Sequence, residues 1–180
     1  MTVEHKTWTT TDKSTWGPGP WQDEPDKIQF ADETTGLPCL ILRNRRGALC
    51  GYVGVTEGHP WFKQGCEDIR VNGVRAVVHS GDGVTYTDFC QEGPEAETIC
   101  HVPASGEVDR VWWLGFHCAG TWDISPGDDA RMLRDYGELI RMGDESYKDI
   151  AYLKDQCALL ALQAWAAMVS VPTPAPSRAT

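Results

Sequence analysis

From Ile150 onward, apolar residues recur at Leu153, Cys157, Leu160, Ala161, Ala164 and Met168, the three-to-four-residue spacing of one helix face. Ser146-Tyr147-Lys148-Asp149 has the Ser-x-x-Asp spacing of a capping box, and Pro172 marks the exit, so a long C-terminal helix is predicted between them. Upstream, the pattern changes to short β-type runs. Leu37–Arg43 and Ala48–Val55 flank Asn44-Arg45-Arg46-Gly47, a break ending in glycine that reads as a hairpin turn. Val74–His79 and Val84–Cys90 flank Ser80-Gly81-Asp82-Gly83 and predict two more short strands. A further short strand is predicted near Ile99–Val102. Arg110–Phe116, apolar on both faces, reads as a buried strand. A short helix is expected over Asp128–Met142.

Residues 1–15 are rich in Thr, Lys, Asp and Glu without periodicity and predict a flexible arm. Residues 172–180 are Pro, Ala and Ser with little to bury and predict a disordered tail. Between them, 16–171 is expected to form a single α+β domain. Its architecture would be a mostly antiparallel sheet of four to six strands packed by the C-terminal helix.

Charge narrows the partners. The formal charge is −10, and each third of the chain is net acidic. No Lys/Arg run offers a stripe for a phosphate backbone, so general nucleic-acid binding is not expected. No uncharged apolar stretch reaches transmembrane length, so no membrane span is expected. The seven cysteines form no C-x-x-C pair, and three of them fall in apolar segments. That usage predicts reduced thiols rather than a disulfide framework.

Candidate chemistry centres on tryptophan. Eight are present, several on loops built of Gly, Pro and His: Trp16-Gly17-Pro18-Gly19-Pro20-Trp21, Gly58-His59-Pro60-Trp61, and Trp112-Trp113-Leu114-Gly115-Phe116-His117-Cys118. Flat rings on rigid loops suit stacking against a base, worth about 1–3 kcal/mol each. Arg43, Arg45 and Arg46 form the one basic cluster, able to fork onto a phosphate. The expected ligand-binding set is therefore Trp16, Trp21, Arg43, Arg45, His59, Trp61, His79, Tyr86 and His117. The bland alternatives are core rings and a solvated turn. His59, His79, Asp88, Cys90 and His117 lack the close pairing of a metal site, and neither a metal nor another cofactor is expected. No Gly-x-Ser-x-Gly elbow surrounds Ser80, and no phosphate-loop signature follows it, so no catalytic residue is assigned.

The same motifs, with Gly36-Leu37-Pro38-Cys39-Leu40-Ile41, Gly51-Tyr52-Val53-Gly54-Val55, Val78-His79-Ser80-Gly81 and Thr85-Tyr86, give the chain a resemblance. From about Trp16 to the C-terminal helix it resembles a family of small accessory proteins encoded by tailed phages and prophages. That family tends to read His-Gly-Gly-Leu-Thr-Tyr near His79 and Gly-Phe-Asp-Cys-Ala-His over Gly115–Gly120. Here His117 replaces the Asp and Gly120 replaces the second His, so chemistry relying on those two side chains would be absent. The resemblance implies a cytoplasmic, host-cell setting and anti-defence biology. The expected function is sequestration, without catalysis, of a small nucleotide-type immune signal (cyclic or ADP-ribose-type). The alternatives are an acidic inhibitor docked on a host defence protein, and a small hydrolase or metal enzyme using His79. A homo-oligomer is compatible with either binding reading.

Overall fold

A computed structural model of the chain describes residues 5–81, 83–103, 106 and 110–170. Six strands, β1 (Lys6–Trp8), β2 (Lys27–Ala31), β3 (Pro38–Arg43), β4 (Leu49–Val55), β7 (Tyr86–Phe89) and β8 (Trp112–His117), form one sheet in the order β1-β2-β3-β4-β8-β7. Every pairing is antiparallel. Two-residue strands β5 (Arg70–Val71) and β6 (Val74–Arg75) make a separate small hairpin. Helix α1 (Pro126–Tyr136) is short, and α2 (Ile150–Val169) lies across the sheet. The class is α+β, with the long C-terminal helix in its expected place.

The two faces of the sheet are closed differently. On one, Ile28, Cys39, Ile41, Leu49, Val53, Val55, Leu114 and Phe116 meet Leu153, Cys157, Leu160, Ala161, Ala164 and Ala167 of α2. Close approach of the helix depends on Gly51: a Cβ there would lie 2.3 Å from the Phe116 ring and 3.0 Å from Cys157 Sγ. On the other face, Leu40, Cys50, Tyr52 and Trp113 are covered by Ile99 and Val111 from the long connection between β7 and β8. That connection is anchored by polar side chains. Lys27 Nζ donates to the carbonyls of Glu95, Thr98 (2.9 Å) and Cys100 (2.7 Å), and the Gln29 amide exchanges two hydrogen bonds with Val102. Burial pulls the Lys27 pKa down to about 8.

Several expectations are corrected. The run Val74–His79 is not one strand: β6 pairs with β5, and the chain then leaves the ladder. Gln163 exchanges two hydrogen bonds with the Val77 backbone and Gln156 accepts the His79 N–H, so α2 side chains supply the partners a strand would have supplied. β7 pairs with β8, not with 74–79. Ile99–Val102 forms no strand, because the carbonyls of Cys100 and Val102 go to Lys27 and Gln29. α1 stops at Gly137, which takes a left-handed φ of 77° and returns its N–H to Leu133. Asp149 itself caps α2, accepting the Tyr152 N–H at 2.9 Å, while Ser146 bridges Asp123 one turn earlier. Within residues 5–15 of the expected arm, β1 pairs along β2, and the backbone N–H groups of Thr10 and Thr11 bind the Asp26 carboxylate at 2.8 Å each. The expected tail, 172–180, lies outside the described residues. Cys90 and Cys100 are joined by a disulfide, against the reduced expectation; the other five cysteines are free. No described helix is long and apolar enough to cross a membrane.

Candidate functional site

The nine expected ligand residues do not converge. Arg43 is a structural hub rather than a phosphate contact. It sits at the end of β3, where the turn folds its side chain inward to 7% residue exposure. Its Nε donates to Asp26 (2.8 Å), one terminal nitrogen to Gly47 O and Tyr147 Oη, and the other to Glu24 (3.0 Å) and Pro25 O. All five guanidinium N–H groups are thereby used. Burial would lower its pKa, but Tyr147, Glu24 and Asp26 reverse that and raise it. Trp16 packs against this hub, 5.9 Å from the guanidinium, and Trp21 stands edge-on to Tyr147 at 5.1 Å. Arg45 is exposed at the turn.

Trp61 is core, contrary to its reading as a loop ring. It is 2% exposed, and its indole N–H donates to Arg70 O at 2.9 Å. His59 fixes it there. The Nδ1 of His59 accepts the Trp61 N–H and its Nε2 meets Ala164 O, each at 3.0 Å, which sets the tautomer with hydrogen on Nε2. Burial lowers the His59 pKa, so the ring stays neutral. Tyr86 stands edge-on to Tyr52 beneath the β7–β8 connection, and the exposed His117 meets Thr85.

The chemistry-like geometry is at His79. Its φ is 35° and that of Ser80 is 54°, two successive non-glycine residues in the left-handed region. Each costs of order 1–3 kcal/mol and persists only where surroundings over-determine it. Here the determinants are visible. Nε2 of the buried ring meets Asp123 Oδ2 at 2.8 Å, and Nδ1 meets Tyr152 Oη at 2.9 Å. Asp123 also accepts the Gly120 N–H at 2.9 Å and has Lys148 Nζ at 3.8 Å. An ionised Asp123 accepts only, so Nε2 carries the proton and Nδ1 receives the Tyr152 hydroxyl. Both ring nitrogens are engaged. Burial, then Cys118 and Asp123, raise the Tyr152 pKa, and the buried Cys118 thiol is pushed up chiefly by desolvation, so both remain protonated at neutral pH. The arrangement is a hydrogen-bonded Tyr152–His79–Asp123 chain without an adjacent thiolate, and it holds the 79–81 turn against α2. Asp123, Tyr152 and Gln156 carried no sequence signal, since they reach His79 from 44 to 77 residues away.

No metal site is expected from the sequence, and among the described residues one group of possible ligands lies close together. Ligating atoms of Cys90, Cys100 and His101 lie within 4.8 Å of one another. The disulfide occupies both sulfurs, so a thiophilic ion would require the reduced form.

Two open clefts stand out among the described residues. One, about 330 Å³, is lined by Trp61, Gln64, Asp68, Arg70, Asn72 and the C-terminal end of α2 at Ala167 and Ser170. The other, about 660 Å³, lies between the end of β2 and α2, and its walls carry Asp32, Glu33 and Asp155 against Lys154. No family model matches the chain, and neither a curated protein nor a solved structure does.

Proposed function

We propose that this is a phage-type binding protein that captures a small nucleotide-type molecule without converting it, in the cleft beside Trp61. The carrying observation is the 330 Å³ cleft itself, where an aromatic residue, the exposed Arg70 and the amides of Gln64 and Asn72 line one concavity. Its volume lies in the range of small-molecule sites, which combine an apolar wall with a few polar groups. Arg70 is tethered by one hydrogen bond to Gly73 O and can present its guanidinium edge to a phosphate. The engaged ring of His79 supports a positioning part for that residue rather than a chemical one. The likeness to small phage proteins supports a host immune nucleotide as the ligand.

Calorimetric titration with cyclic dinucleotides and ADP-ribose-type nucleotides tests this reading. Wild-type protein should bind one of them, and Arg70→Glu, at an exposed position, should abolish the heat without lowering the melting temperature. If no nucleotide binds the wild type, the reading fails and docking on a host protein replaces it.

A further inference from the structure

The connection from β7 to β8 brings Cys90, Cys100 and His101 together, with ligating atoms within 4.8 Å of one another. The bridge is not all that gathers them. Just inside the two cysteines, the Gln91 N–H donates to Ile99 O (3.1 Å) and the Ile99 N–H donates to Gln91 Oε1 (3.2 Å). Between those residues, Pro94 O accepts from the N–H groups of Glu97 and Thr98 and closes a turn. From outside, Lys27 holds the carbonyls of Glu95, Thr98 and Cys100, and Gln29 holds both backbone polar groups of Val102. None of these bonds involves sulfur. Opening the S–S bond therefore leaves two thiols and an imidazole gathered at one place on a backbone that is already set.

We propose that the reduced form of this cluster is a Zn²⁺ site, so that the loop after β7 alternates between a disulfide and a metal centre. Two thiolates and an imidazole suit Zn²⁺ and not the hard ions Mg²⁺ and Ca²⁺. Tetrahedral zinc sets thiolate and imidazole ligand atoms about 3.5–3.8 Å apart, within the spread seen here once the two sulfurs rotate away from each other. Three protein ligands leave the fourth position to water. Behind the ligands stands Trp113, fully buried. Its indole N–H donates to Cys90 Sγ at 3.4 Å, and its ring lies edge-on to His101 at 5.7 Å. A donor to a ligating sulfur and a wall behind a ligating ring are what orient metal ligands from outside. Charge favours the ion as well: Asp88, Glu92, Glu95 and Glu97 surround the cysteines in sequence, and residues 88–100 contain no Lys or Arg. The pair is also within reach of small reagents. Cys90 and Cys100 are half-buried, whereas Cys39, Cys50, Cys118 and Cys157 are buried.

The exchange balances with ordinary thiol chemistry. A dithiol gives two electrons and two protons to the S–S bond and leaves as its own cyclic disulfide. Zn²⁺ then displaces the two thiol protons into solvent. In the reverse direction a low-molecular-weight disulfide takes two electrons from the thiolates and two protons from water and leaves as two thiols. The Cys90–Cys100 bond re-forms and Zn²⁺ is released.

Titration of the full chain with Co²⁺, a coloured stand-in for zinc, tests the proposal before and after reduction by a dithiol that is then removed without air. Reduced protein should take up one Co²⁺ per chain with a thiolate-to-cobalt charge-transfer band that added Zn²⁺ abolishes, and the oxidised protein should show no such band. Cys90→Ser and Cys100→Ser should each weaken binding by more than about 100-fold, since even residues behind the ligands are typically worth 10–100-fold. Zn²⁺ should also shield Cys90 and Cys100 of the reduced wild type from alkylation, mapped by peptide mass, a measurement that needs no variant and decides if the variants misfold. No charge-transfer band in the reduced protein at about 100 µM Co²⁺ overturns the proposal. So does equal binding by the oxidised protein, or alkylation of Cys90 and Cys100 that zinc leaves unchanged. A reduced chain that loses its circular dichroism and does not regain it with Zn²⁺ overturns it too.

Discussion

Replacing Arg43 by Met separates a structural hub from a ligand residue. As a phosphate contact on a hairpin turn, Arg43 could be lost with little effect on stability. As the structure has it, the substitution strands Glu24 and Asp26, whose side chains are 12% and 3% exposed, and removes the donors to Gly47 O and Pro25 O. Breaking a buried pair from one side costs roughly 3–5 kcal/mol. Asp26 retains Lys13 at 2.9 Å and the N–H groups of Thr10 and Thr11, which puts the expected loss in the lower half of that range, about 3–4 kcal/mol. For a chain of this size that is a fall of about 10 °C in melting temperature. Arg45→Met, two residues further on and exposed, should stay within about 0.5 kcal/mol of wild type and serves as the control. Thermal melts followed by circular dichroism, with urea titrations for free energies, measure both. An Arg43→Met protein melting within about 2 °C of wild type would refute the hub.

Lys27 should titrate near pH 8 in the folded protein, visible as an outlying side-chain resonance in a pH series. Its folded pKa lies below the unfolded one, so the unfolded chain binds more protons between those values. Its contribution to unfolding free energy should therefore rise with pH from about 8 to about 10. Titration with the other lysines, near 10.4, would contradict its burial. Trp61→Ala should cost roughly 3–5 kcal/mol, because a ring of 2% exposure leaves a cavity; an unchanged melt would return Trp61 to the surface. A thiol count in denaturant without reductant should find the five free cysteines, and seven would remove the Cys90–Cys100 bridge.

What the sequence makes legible is what local spacing encodes. The inner face of α2 is a 3.6-residue stripe, and the Asn44–Gly47 break needs only its own neighbours to turn. Both therefore read correctly, except that Met168, placed on that stripe, is exposed and Ala167 is buried in its stead. Three features fail because their causes lie far off in the chain. Asp26 binds Thr10, Thr11, Lys13 and Arg43, so residues that look like a free arm are docked and an arginine that looks exposed is consumed. Gln156 and Gln163 draw 77–79 out of a strand from positions 77 and 86 residues later. Lys27 holds a loop through carbonyls 68 to 73 residues on, and no side-chain pattern announces a carbonyl. The candidate site is less legible still. Of the nine expected residues only Trp61 lines a described cleft, and Arg70 and Asn72 beside it carry no pattern that distinguishes them from a surface loop.

The outermost strands of the sheet are short: three residues in β1 and four in β7. A sheet margin is a template on which any passing extended chain can add, and such addition has no natural end point; it leads to fibres. Here little template is on offer. The chain beyond β1 is tied down by Asp26 within three residues, and β7 runs directly into the disulfide at Cys90. Brevity at both margins starves open-ended growth, as natural sheets do by truncation. The margins, which could recruit without limit, thus present few backbone groups to an incoming chain.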